Sequence, residues 1–420
     1  MSFETISVVG LGYIGLPTAA MFASRKKKVI GVDVNQHAVD TINRGEIHIV
    51  EPDLDMLVSA AVQQGYLKAV TTPEAADAFL IAVPTPFLPT ENEGDIPKPD
   101  LRYIEAASKA IAPVLKKGDL VILESTSPVG ATEQMAEWLA EARPDLTFPQ
   151  THGESADVNV AHCPERVLPG HVVTELVQND RVIGGMSKRC SERSVELYKT
   201  FVMGECVITN ARTAEMAKLT ENSCRDVQIA FANELSMICD ELDIDVWELI
   251  ALANRHPRIN ILQPGPGVGG HCIAVDPWFI VSKTPELAKL IKTARDVNDE
   301  KPEWVIDKVK IALADFLQAN PTKTAKNVTI ACYGLAFKPD IDDLRESPAL
   351  DITKAIADFH TGQVLAIEPN IEDITHENIK LVTIDESLTK TDIHVMLVDH
   401  KQFKKIKIND AFIIDTKGIW

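Results

Sequence analysis

A glycine-rich turn near the start of the chain constrains the fold more than any other feature of the sequence. Gly10-Leu11-Gly12-Tyr13-Ile14-Gly15 follows a short apolar segment and leads into a stretch of helical composition. In a βα unit the first glycine permits a tight turn, the second lets the backbone approach a pyrophosphate, and the third lets the helix pack closely on the strand. The N-terminus of the helix then presents backbone N–H groups to phosphates. The pattern indicates a dinucleotide-binding unit.

A second part of this signature lies at the end of the next apolar segment. Val29–Val32 is followed by Asp33, 18 residues after Gly15, near the spacing at which an acidic side chain meets the ribose hydroxyls. No arginine occurs at positions 34–37, so a 2′-phosphate would meet only repulsion from Asp33. The sequence therefore predicts NAD rather than NADP, with a purely structural glycine turn as the alternative. Two threonines at later strand ends complete the predicted NAD-binding set: Gly10, Gly12, Tyr13, Ile14, Gly15, Asp33, Thr85 and Thr126.

Short apolar segments alternate with helical stretches along the first 210 residues. This alternation predicts right-handed βαβ units and a parallel sheet. The predicted strands are Ile6–Val9, Val29–Val32, Phe79–Val83, Leu120–Leu123, Val158–Ala161, Val182–Ile183 and Cys206–Ile208. The predicted helices between them include Pro17–Lys27, Tyr103–Leu115 and Thr132–Glu141.

The composition changes after Thr209. No Pro or Gly occurs from Thr213 to about Leu242, which predicts one long helix with Thr213 as its N-cap. Further helices are predicted at Trp247–Ala253 and Pro285–Asn298.

Beyond a polar linker at Asn320–Asn327, the β–α alternation resumes. The predicted elements are Val328–Tyr333, Ala349–His360, Val364–Ile367, Ile393–Val398 and Phe412–Ile414. We therefore expect an α/β protein with two Rossmann-like, doubly wound parallel-sheet domains, at residues 1–210 and 319–420. A central helical region at residues 211–318 is expected to join them.

The charge balance limits the partners of this chain. The sequence has 42 Lys and Arg residues against 61 Asp and Glu residues, a formal net charge of −19. Nucleic acid and anionic membrane surfaces require a basic face, so neither is expected as a partner. An anionic substrate would require positive side chains gathered locally inside an acidic shell.

Cysteine usage and hydropathy predict a cytoplasmic protein. The seven cysteines include no CxxC pair and their number is odd, which favours free thiols in a reducing compartment. The N-terminal segment lacks the basic-then-apolar order of a signal peptide, and no apolar stretch is long enough to span a membrane. The 11 histidines show no metal-ligand spacing, so no metal is expected.

Two further patterns are candidates for catalytic chemistry. Lys218, Asn222 and Arg225 form one polar stripe on the predicted long helix, since their spacing is i, i+4 and i+7; a solvated helix face is the alternative. The segment Pro264–Gly270 is rich in glycine and is followed by His271 and Cys272. Glycine lets backbone approach a ligand closely, so a cysteine delivered by such a loop indicates a functional thiol rather than a core residue.

With these motifs the chain resembles the UDP-glucose/GDP-mannose dehydrogenase family over nearly its whole length. The resemblance rests on seven motifs: GLGYIGLP from Gly10, VPTP from Val83, STSPVG from Ser125, CPER from Cys163, AKLTEN from Ala217, PGPGVGGHC from Pro264 and GLAFKPDIDDLRES from Gly334.

The resemblance implies an NAD-dependent enzyme that oxidises the primary alcohol of a nucleotide sugar to a carboxylate, with two NAD per turnover. Cys272 would trap the intermediate aldehyde as a thiohemiacetal that is oxidised to a thioester. Lys218 would take part in proton transfer with Asn222 beside it. Glu165 and Asp276 would handle the hydrolytic water, with Thr126 near the water and the nicotinamide; a surface carboxylate is the alternative for Glu165.

The resemblance also implies a UDP-sugar site and a homodimer that pairs through the long helix, with Arg258 completing the neighbouring active site. The implied substrate-binding residues are Arg166, Val167, Lys218, Asn222, Arg225, His256, Arg258, Gly269, Phe337, Lys338, Arg345 and Lys417.

Two positions bear on which sugar is oxidised. Val275 stands where UDP-glucose enzymes of the family usually have Lys, and Val268 stands where Phe is common. The segments 255–258 and 271–279 instead resemble the branch that acts on UDP-N-acetyl-D-mannosamine. The alternatives are oxidation of UDP-glucose or another UDP-N-acetylhexosamine, a single-step β-hydroxyacid-type dehydrogenase, and a non-catalytic binding protein.

Overall fold

A computed structural model of the chain describes residues 3–90, 92, 94–168, 170–270, 272–408 and 412–420. One residue named in the sequence motifs, His271, lies outside the described residues. The chain divides into two units, Met1–Glu221 and Asn222–Trp420.

The first unit contains one sheet built largely from short, fully buried apolar strands. Its strands are β1 Thr5–Val9, β2 Lys28–Val32, β3 Leu67–Val70, β4 Ala78–Ile81, β5 Leu120–Leu123, β6 Asn159–His162, β7 Arg181–Gly185 and β8 Cys206–Asn210. Their order is β3-β2-β1-β4-β5-β6-β7-β8. From β3 to β6 the pairs are parallel, in the order of a dinucleotide-binding fold. The prediction is refined at β7, which is antiparallel to β6 and parallel to β8.

Helices cover this sheet. They are α1 Gly15–Ser24, α2 Gln36–Asn43, α3 Leu54–Gln63, α4 Arg102–Ile111, α5 Ala131–Ala142, α6 Pro149–His152, α7 Val172–Gln178 and α8 Lys188–Tyr198. Alternate strand residues enter two different clusters: Leu80 and Ile122 pack with α1, whereas Phe79 and Val121 pack with α4 and α5. A sheet buried on both faces explains why its strands are continuously apolar in the sequence.

The long helix α9, Ala211–Glu241, begins two residues earlier than expected. The side chain of Asn210 accepts a hydrogen bond from the Thr213 backbone N–H at 2.9 Å. The prediction of Thr213 as the N-cap is therefore wrong, because Asn210 supplies that interaction.

The second unit contains helices and a second parallel sheet. Its helices after α9 are α10 Val246–Ala253, α11 Asp276–Lys283, α12 Lys289–Ala319, α13 Pro348–Phe359 and α14 Ile384–Lys390. Its strands are β9 Thr329–Tyr333, β10 Gln363–Ile367, β11 Ile379–Leu381, β12 Ile393–Met396 and β13 Phe412–Asp415, in the order β11-β10-β9-β12-β13. The predicted fold class, with two Rossmann-like sheets and a helical segment between them in the chain, is confirmed.

Helix α12 extends well past the predicted end at Asn298. Pro302 lies inside the helix, where it removes one backbone hydrogen bond. Val305, Val309 and Phe316 follow at helical spacing and are buried in the core of the second sheet. Burial of this apolar face therefore outweighs the local cost of proline. No helix in the described part of the chain is long and apolar enough to span a membrane.

Candidate active site

The turn between β1 and α1 leaves space where a ligand can approach the backbone. A Cβ atom at Gly10 would lie 2.5 Å from the Ala82 carbonyl oxygen, and one at Gly15 would lie 1.8 Å from the Gly10 carbonyl oxygen. Both positions therefore require glycine. A Cβ at Gly12, by contrast, would meet nothing within 4 Å, and Tyr13 beside it is exposed. This cradle fits a dinucleotide pyrophosphate at the start of α1.

The Asp33 carboxylate is hydrogen-bonded to the same turn. Its Oδ2 accepts a hydrogen bond from the Leu11 backbone N–H at 2.9 Å, and its Oδ1 accepts one from the Asn35 N–H at 2.8 Å. These bonds hold the carboxylate at the carboxyl end of β2, beside the glycine turn. The residues present therefore fit NAD, with Gly12 facing the pyrophosphate and Asp33 available to the ribose.

The ends of β4 and β5 are joined next to this turn. The Ser125 hydroxyl donates to the Val83 carbonyl oxygen at 2.7 Å. Thr85 and Thr126, which follow these two strands, are both half-buried. The structure thus brings the predicted NAD-binding residues of β1, β2, β4 and β5 to one edge of the sheet.

Glu165, two residues after Cys163 at the end of β6, is a buried carboxylate and not the surface carboxylate considered as its alternative. Its Oε2 accepts a hydrogen bond from Arg181 Nη1 at 2.6 Å, and its Oε1 accepts one from the Arg166 backbone N–H at 2.7 Å. The Arg181 side chain is itself only 3% exposed. Sequence reasoning missed Arg181, and the only available signal was a charged residue opening an otherwise apolar strand.

A second buried carboxylate lies near this pair. Glu124 follows β5 and accepts a hydrogen bond from the Tyr198 hydroxyl at 2.6 Å. Burial, with a smaller contribution from the charge of Glu165, raises the pKa of Glu124 to about 7, although the Arg181 charge opposes that rise. The Arg181 guanidinium carbon lies 5.1 Å from the centroid of the Tyr198 ring. No short-range pattern in the sequence indicates Glu124 or Tyr198 as part of this cluster.

The part of α9 in the first unit carries Lys218, which is half-buried. One turn earlier, Glu215 accepts hydrogen bonds from the backbone N–H groups of Gly130 and Thr132 at 2.7 and 2.8 Å. One turn later, Glu221 pairs with Arg166 at 2.7 Å. Val167 is half-buried beside Arg166. The predicted residues Arg166 and Lys218 therefore lie on neighbouring structure.

In the second unit, Asn222, Asp276 and the Cys272 turn lie together. The Asn222 amide donates to Asp276 Oδ2 at 2.5 Å. Asp276 begins α11, and its backbone N–H donates to the Cys272 carbonyl oxygen at 2.9 Å. Cys272 is exposed on this turn. All seven cysteines lie in the described part of the chain, and none forms a disulfide.

The glycine-rich loop before Cys272 packs against the segment that follows β9. A Cβ atom at Gly269 would lie 2.4 Å from the Glu346 carbonyl oxygen and 2.8 Å from Phe337 Cβ. The Gly270 N–H also donates to the Glu346 carbonyl oxygen at 3.3 Å. Close packing thus requires glycine here and places Gly269 beside Phe337; Lys338 follows directly and is half-buried.

The start of the same loop is anchored by a buried polar network. The Gly265 N–H donates to Asn233 Oδ1 at 2.9 Å, and Asn233 Nδ2 donates to Asn298 Oδ1 at 2.9 Å. Asn298 and Arg295 both donate to Asp226 Oδ1, at 2.8 and 2.6 Å. This network connects α9, α12 and the loop, and no short-range sequence pattern indicates it.

The remaining predicted substrate residues are only partly gathered. Lys417 Nζ lies 3.4 Å from Asp399 Oδ1 and 3.7 Å from the position of a Cβ at Gly265. A cavity of about 540 Å³ borders this region, with Gly265 and Thr416 among its lining residues. Arg345 pairs with Asp343 at 2.6 Å.

Three predicted substrate residues are exposed. Arg225 lies one turn after Asn222, and His256 and Arg258 lie after α10. Within the described residues, no group of three or more His, Cys, Asp or Glu side chains is arranged to hold a metal ion.

Comparison with known proteins assigns a family to this arrangement. Models of the UDP-glucose/GDP-mannose dehydrogenase family match the chain in three parts: the NAD binding domain at residues 4–202, the central domain at 212–300 and the UDP binding domain at 331–420. The chain therefore belongs to the UDP-glucose/GDP-mannose dehydrogenase family. It is an NAD-dependent dehydrogenase whose substrate is a UDP-sugar.

Individual relatives resemble the chain over its full length. A UDP-N-acetyl-D-mannosamine dehydrogenase of Yersinia pestis is 70% identical over 426 aligned positions, covering 100% of both chains. An NDP-N-acetyl-D-galactosaminuronic acid dehydrogenase of Ralstonia nicotianae is 63% identical, covering 100% of this chain and 97% of the relative. The solved structure of UDP-D-ManNAc dehydrogenase from Pyrococcus horikoshii is 38% identical with a TM-score of 0.87, covering 99% of this chain and 96% of that chain.

Proposed function

We propose that this enzyme oxidises the primary alcohol of UDP-N-acetyl-D-mannosamine to a carboxylate, forming UDP-N-acetyl-D-mannosaminuronate and reducing two NAD. The observation that carries the proposal is the exposed thiol of Cys272. The Cys272 carbonyl oxygen accepts a hydrogen bond from the Asp276 N–H, and the Asp276 carboxylate accepts one from the Asn222 amide. A dehydrogenase that performs one oxidation would need no such thiol. The identity to the Yersinia pestis relative, together with Val268 and Val275, supports the mannosamine sugar.

The first oxidation converts the alcohol to an aldehyde. NAD, when bound, accepts one hydride in each of the two oxidations. Lys218 assists transfer of the alcohol proton, and the thiol of Cys272 then adds to the aldehyde carbon to form a thiohemiacetal. Covalent capture keeps the reactive aldehyde on the enzyme. The second oxidation removes a hydride and the hydroxyl proton, which leaves a thioester on Cys272.

Hydrolysis then releases the acid. A water oxygen bonds to the thioester carbon, the carbon–sulfur bond breaks, and Cys272 leaves as the thiolate. In this scheme Glu165 is the base that accepts the proton lost by the water. Asp276 orients the Asn222 amide, because Asp276 Oδ2 already accepts a hydrogen bond from it. Asn222 and Lys218 donate to the oxyanions that form in these steps. Thr126 lies near both the water and the nicotinamide in this scheme.

The domain division follows the same scheme. Residues 1–210 bind NAD, residues 211–318 form a central helical domain with the Lys218 helix and the Cys272 loop, and residues 319–420 bind the UDP-sugar. The family-model boundaries support this division.

The assembly proposed is a cytoplasmic homodimer paired through α9, in which Arg258 completes the neighbouring active site. Two exposed apolar side chains on α9 support pairing. Phe231 and Ile238, at i and i+7, lie on the same face of the helix and are 52% and 45% exposed. The product would supply an activated uronic acid for a bacterial surface polysaccharide such as enterobacterial common antigen.

A substrate panel tests the function. Purified enzyme is given NAD with UDP-N-acetylmannosamine, UDP-N-acetylglucosamine, UDP-N-acetylgalactosamine, UDP-glucose or GDP-mannose, and both NADH and acid are counted. We expect two NADH per acid, and the highest kcat/KM with the mannosamine sugar. One NADH per substrate consumed would support the single-step dehydrogenase instead. A preference for the galactosamine sugar would follow the Ralstonia relative and contradict the sugar assigned here.

A further inference from the structure

We propose that Arg181 is a positioning residue for hydrolysis of the thioester, acting through its buried ion pair with Glu165, and that Glu124 and Tyr198 support Arg181 in this role. The inference rests on the proposed function, in which Glu165 accepts a proton from the hydrolytic water.

Glu165 is held from two sides. Arg181 donates to Oε2 at 2.6 Å from the start of β7, and the Arg166 backbone N–H donates to Oε1 at 2.7 Å. An ionised carboxylate offers about four acceptor sites, so two remain after these bonds are made. The side chain is 6% exposed, and a donor on each oxygen fixes its orientation. The remaining lone pairs therefore point in a defined direction, which a base needs to activate water.

Arg181 also faces a second carboxylate. Glu124 interacts electrostatically with Arg181. It also accepts a hydrogen bond from the Tyr198 hydroxyl at 2.6 Å. The Arg181 guanidinium carbon lies 5.1 Å from the centroid of the Tyr198 ring. Arg181 Nη2 and Glu124 Oε2 are both buried and have no hydrogen-bond partner among the described residues. The guanidinium thus pairs directly with the Glu165 carboxylate and interacts electrostatically with a second one, Glu124.

This arrangement suits a base that changes its charge. When Glu165 accepts the proton from water, it becomes neutral and no longer balances the buried Arg181. A buried cation without a counter-charge is strongly unfavourable. Above about pH 7, the pKa of Glu124, this carboxylate is ionised and supplies a second negative charge within the same cluster, so protonation of Glu165 does not leave the guanidinium unbalanced. Arg181 can therefore keep its position throughout hydrolysis.

The test separates hydrolysis from the two oxidations. Stopped-flow formation of NADH from UDP-N-acetylmannosamine is recorded for wild type and Arg181→Met. We expect the variant to release two NADH per active site in a burst and then turn over about 10²-fold more slowly, as for a displaced catalytic group. Arg212→Met is the matched control, because it removes an exposed ion pair with Glu133 in the same unit, and wild-type kinetics are expected. Arg181→Met with no burst and an unchanged steady-state rate would overturn the proposal.

A double-mutant cycle with Glu165→Gln tests whether Arg181 acts through Glu165. We expect Glu165→Gln alone to show the same burst, and Arg181→Met/Glu165→Gln to hydrolyse the thioester no more slowly than Glu165→Gln. If the factors by which the two single substitutions slow thioester hydrolysis multiply in the double variant, Arg181 is merely structural and the inference is overturned. The double variant contains no buried Arg181 charge and no Glu165 charge, so it provides this measurement even if Arg181→Met alone does not fold.

The outcomes distinguish the inference from the function on which it rests. If Glu165→Gln shows a burst and Arg181→Met does not, only the inference fails. If Glu165→Gln shows no burst, the role of Glu165 fails and the inference fails with it. Arg181→Lys, which keeps the charge, is expected to recover part of the hydrolysis rate.

Discussion

The side-chain amide of Asn222 donates a hydrogen bond of 2.5 Å to Oδ2 of Asp276, which joins α9 to the first residue of α11. The Asp276 backbone N–H also donates to the carbonyl oxygen of Cys272. Through these two bonds the amide has a defined position relative to the cysteine-bearing turn. An amide placed in this way can donate to an oxyanion that forms on the substrate carbon.

Asn222→Ala is expected to lower kcat by about 10²-fold or more, because an oxyanion donor is lost. Asp276 is buried and loses this donor, so the free energy of unfolding is expected to fall by about 1–3 kcal/mol. Steady-state NADH formation and urea denaturation measure the two effects. A variant that keeps wild-type kcat would contradict the role of Asn222.

Cys272→Ser is expected to stall at or before an ester-like intermediate. The serine hydroxyl is a poorer nucleophile than the thiol, and an oxygen ester is hydrolysed less readily than a thioester. Binding of NAD should persist, which titration calorimetry can measure. Cys224→Ser is the matched control, since Cys224 is also exposed, and it should retain full turnover. Complete oxidation to the acid by Cys272→Ser would refute the nucleophile assignment.

Gly269→Ala is expected to displace the loop, since its Cβ would lie 2.4 Å from the Glu346 carbonyl oxygen. Overpacking of this kind costs about 1–3 kcal/mol of unfolding free energy, and KM for the UDP-sugar should rise. Gly265→Ala is the control for stability, because its Cβ would meet nothing closer than 3.7 Å. Urea denaturation of both variants checks the difference, and equal stabilities would show that the loop yields easily.

Glu124 is expected to make stability depend on pH. Its pKa is about 7 in the folded protein, against a usual value of 4.5, so between these values the native state keeps a proton that the unfolded state has lost. Stability therefore falls as pH rises through this window, by about 3 kcal/mol, and this contribution is constant above it.

Glu124→Gln cannot ionise and should lack this fall, while its amide oxygen still accepts from Tyr198. Urea denaturation of both proteins from about pH 5 to about pH 8, which covers most of this window, gives the comparison. We expect the variant to gain stability relative to wild type as the pH rises. Parallel profiles for the two proteins would show that Glu124 does not titrate in this range.

Asp33→Ala is expected to raise KM for NAD by about tenfold or more, since a hydrogen bond from a ribose hydroxyl to a charged group is lost. The discrimination against NADP should narrow, because the carboxylate that repels a 2′-phosphate is removed. The ratio of kcat/KM for the two cofactors measures this effect. An unchanged ratio would show that Asp33 serves only to hold Leu11 and Asn35.

Local sequence patterns predicted much of the fold because each reflects local backbone physics. Gly10 and Gly15 lie where a Cβ atom would collide with neighbouring backbone, and strands buried on both faces have continuously apolar sequences. The strand at Leu67–Val70 was missed because the exposed Lys68 interrupts its apolar sequence. The continuation of α12 past Pro302 was missed because local propensity predicts an end there, whereas packing in the core decides otherwise.

By itself the sequence determined the fold class, the choice of NAD over NADP, and the thiol and lysine helix that indicate the chemistry. These depend on short-range spacing or on single residue types, which a linear sequence displays directly. Only the tertiary structure decided which carboxylates are buried and what each one pairs with. Arg181 and Glu165 are 16 residues apart in the chain, and Tyr198 and Glu124 are 74 apart. Such pairs form because a buried charge requires a partner, and the folded chain alone determines which partner is within reach.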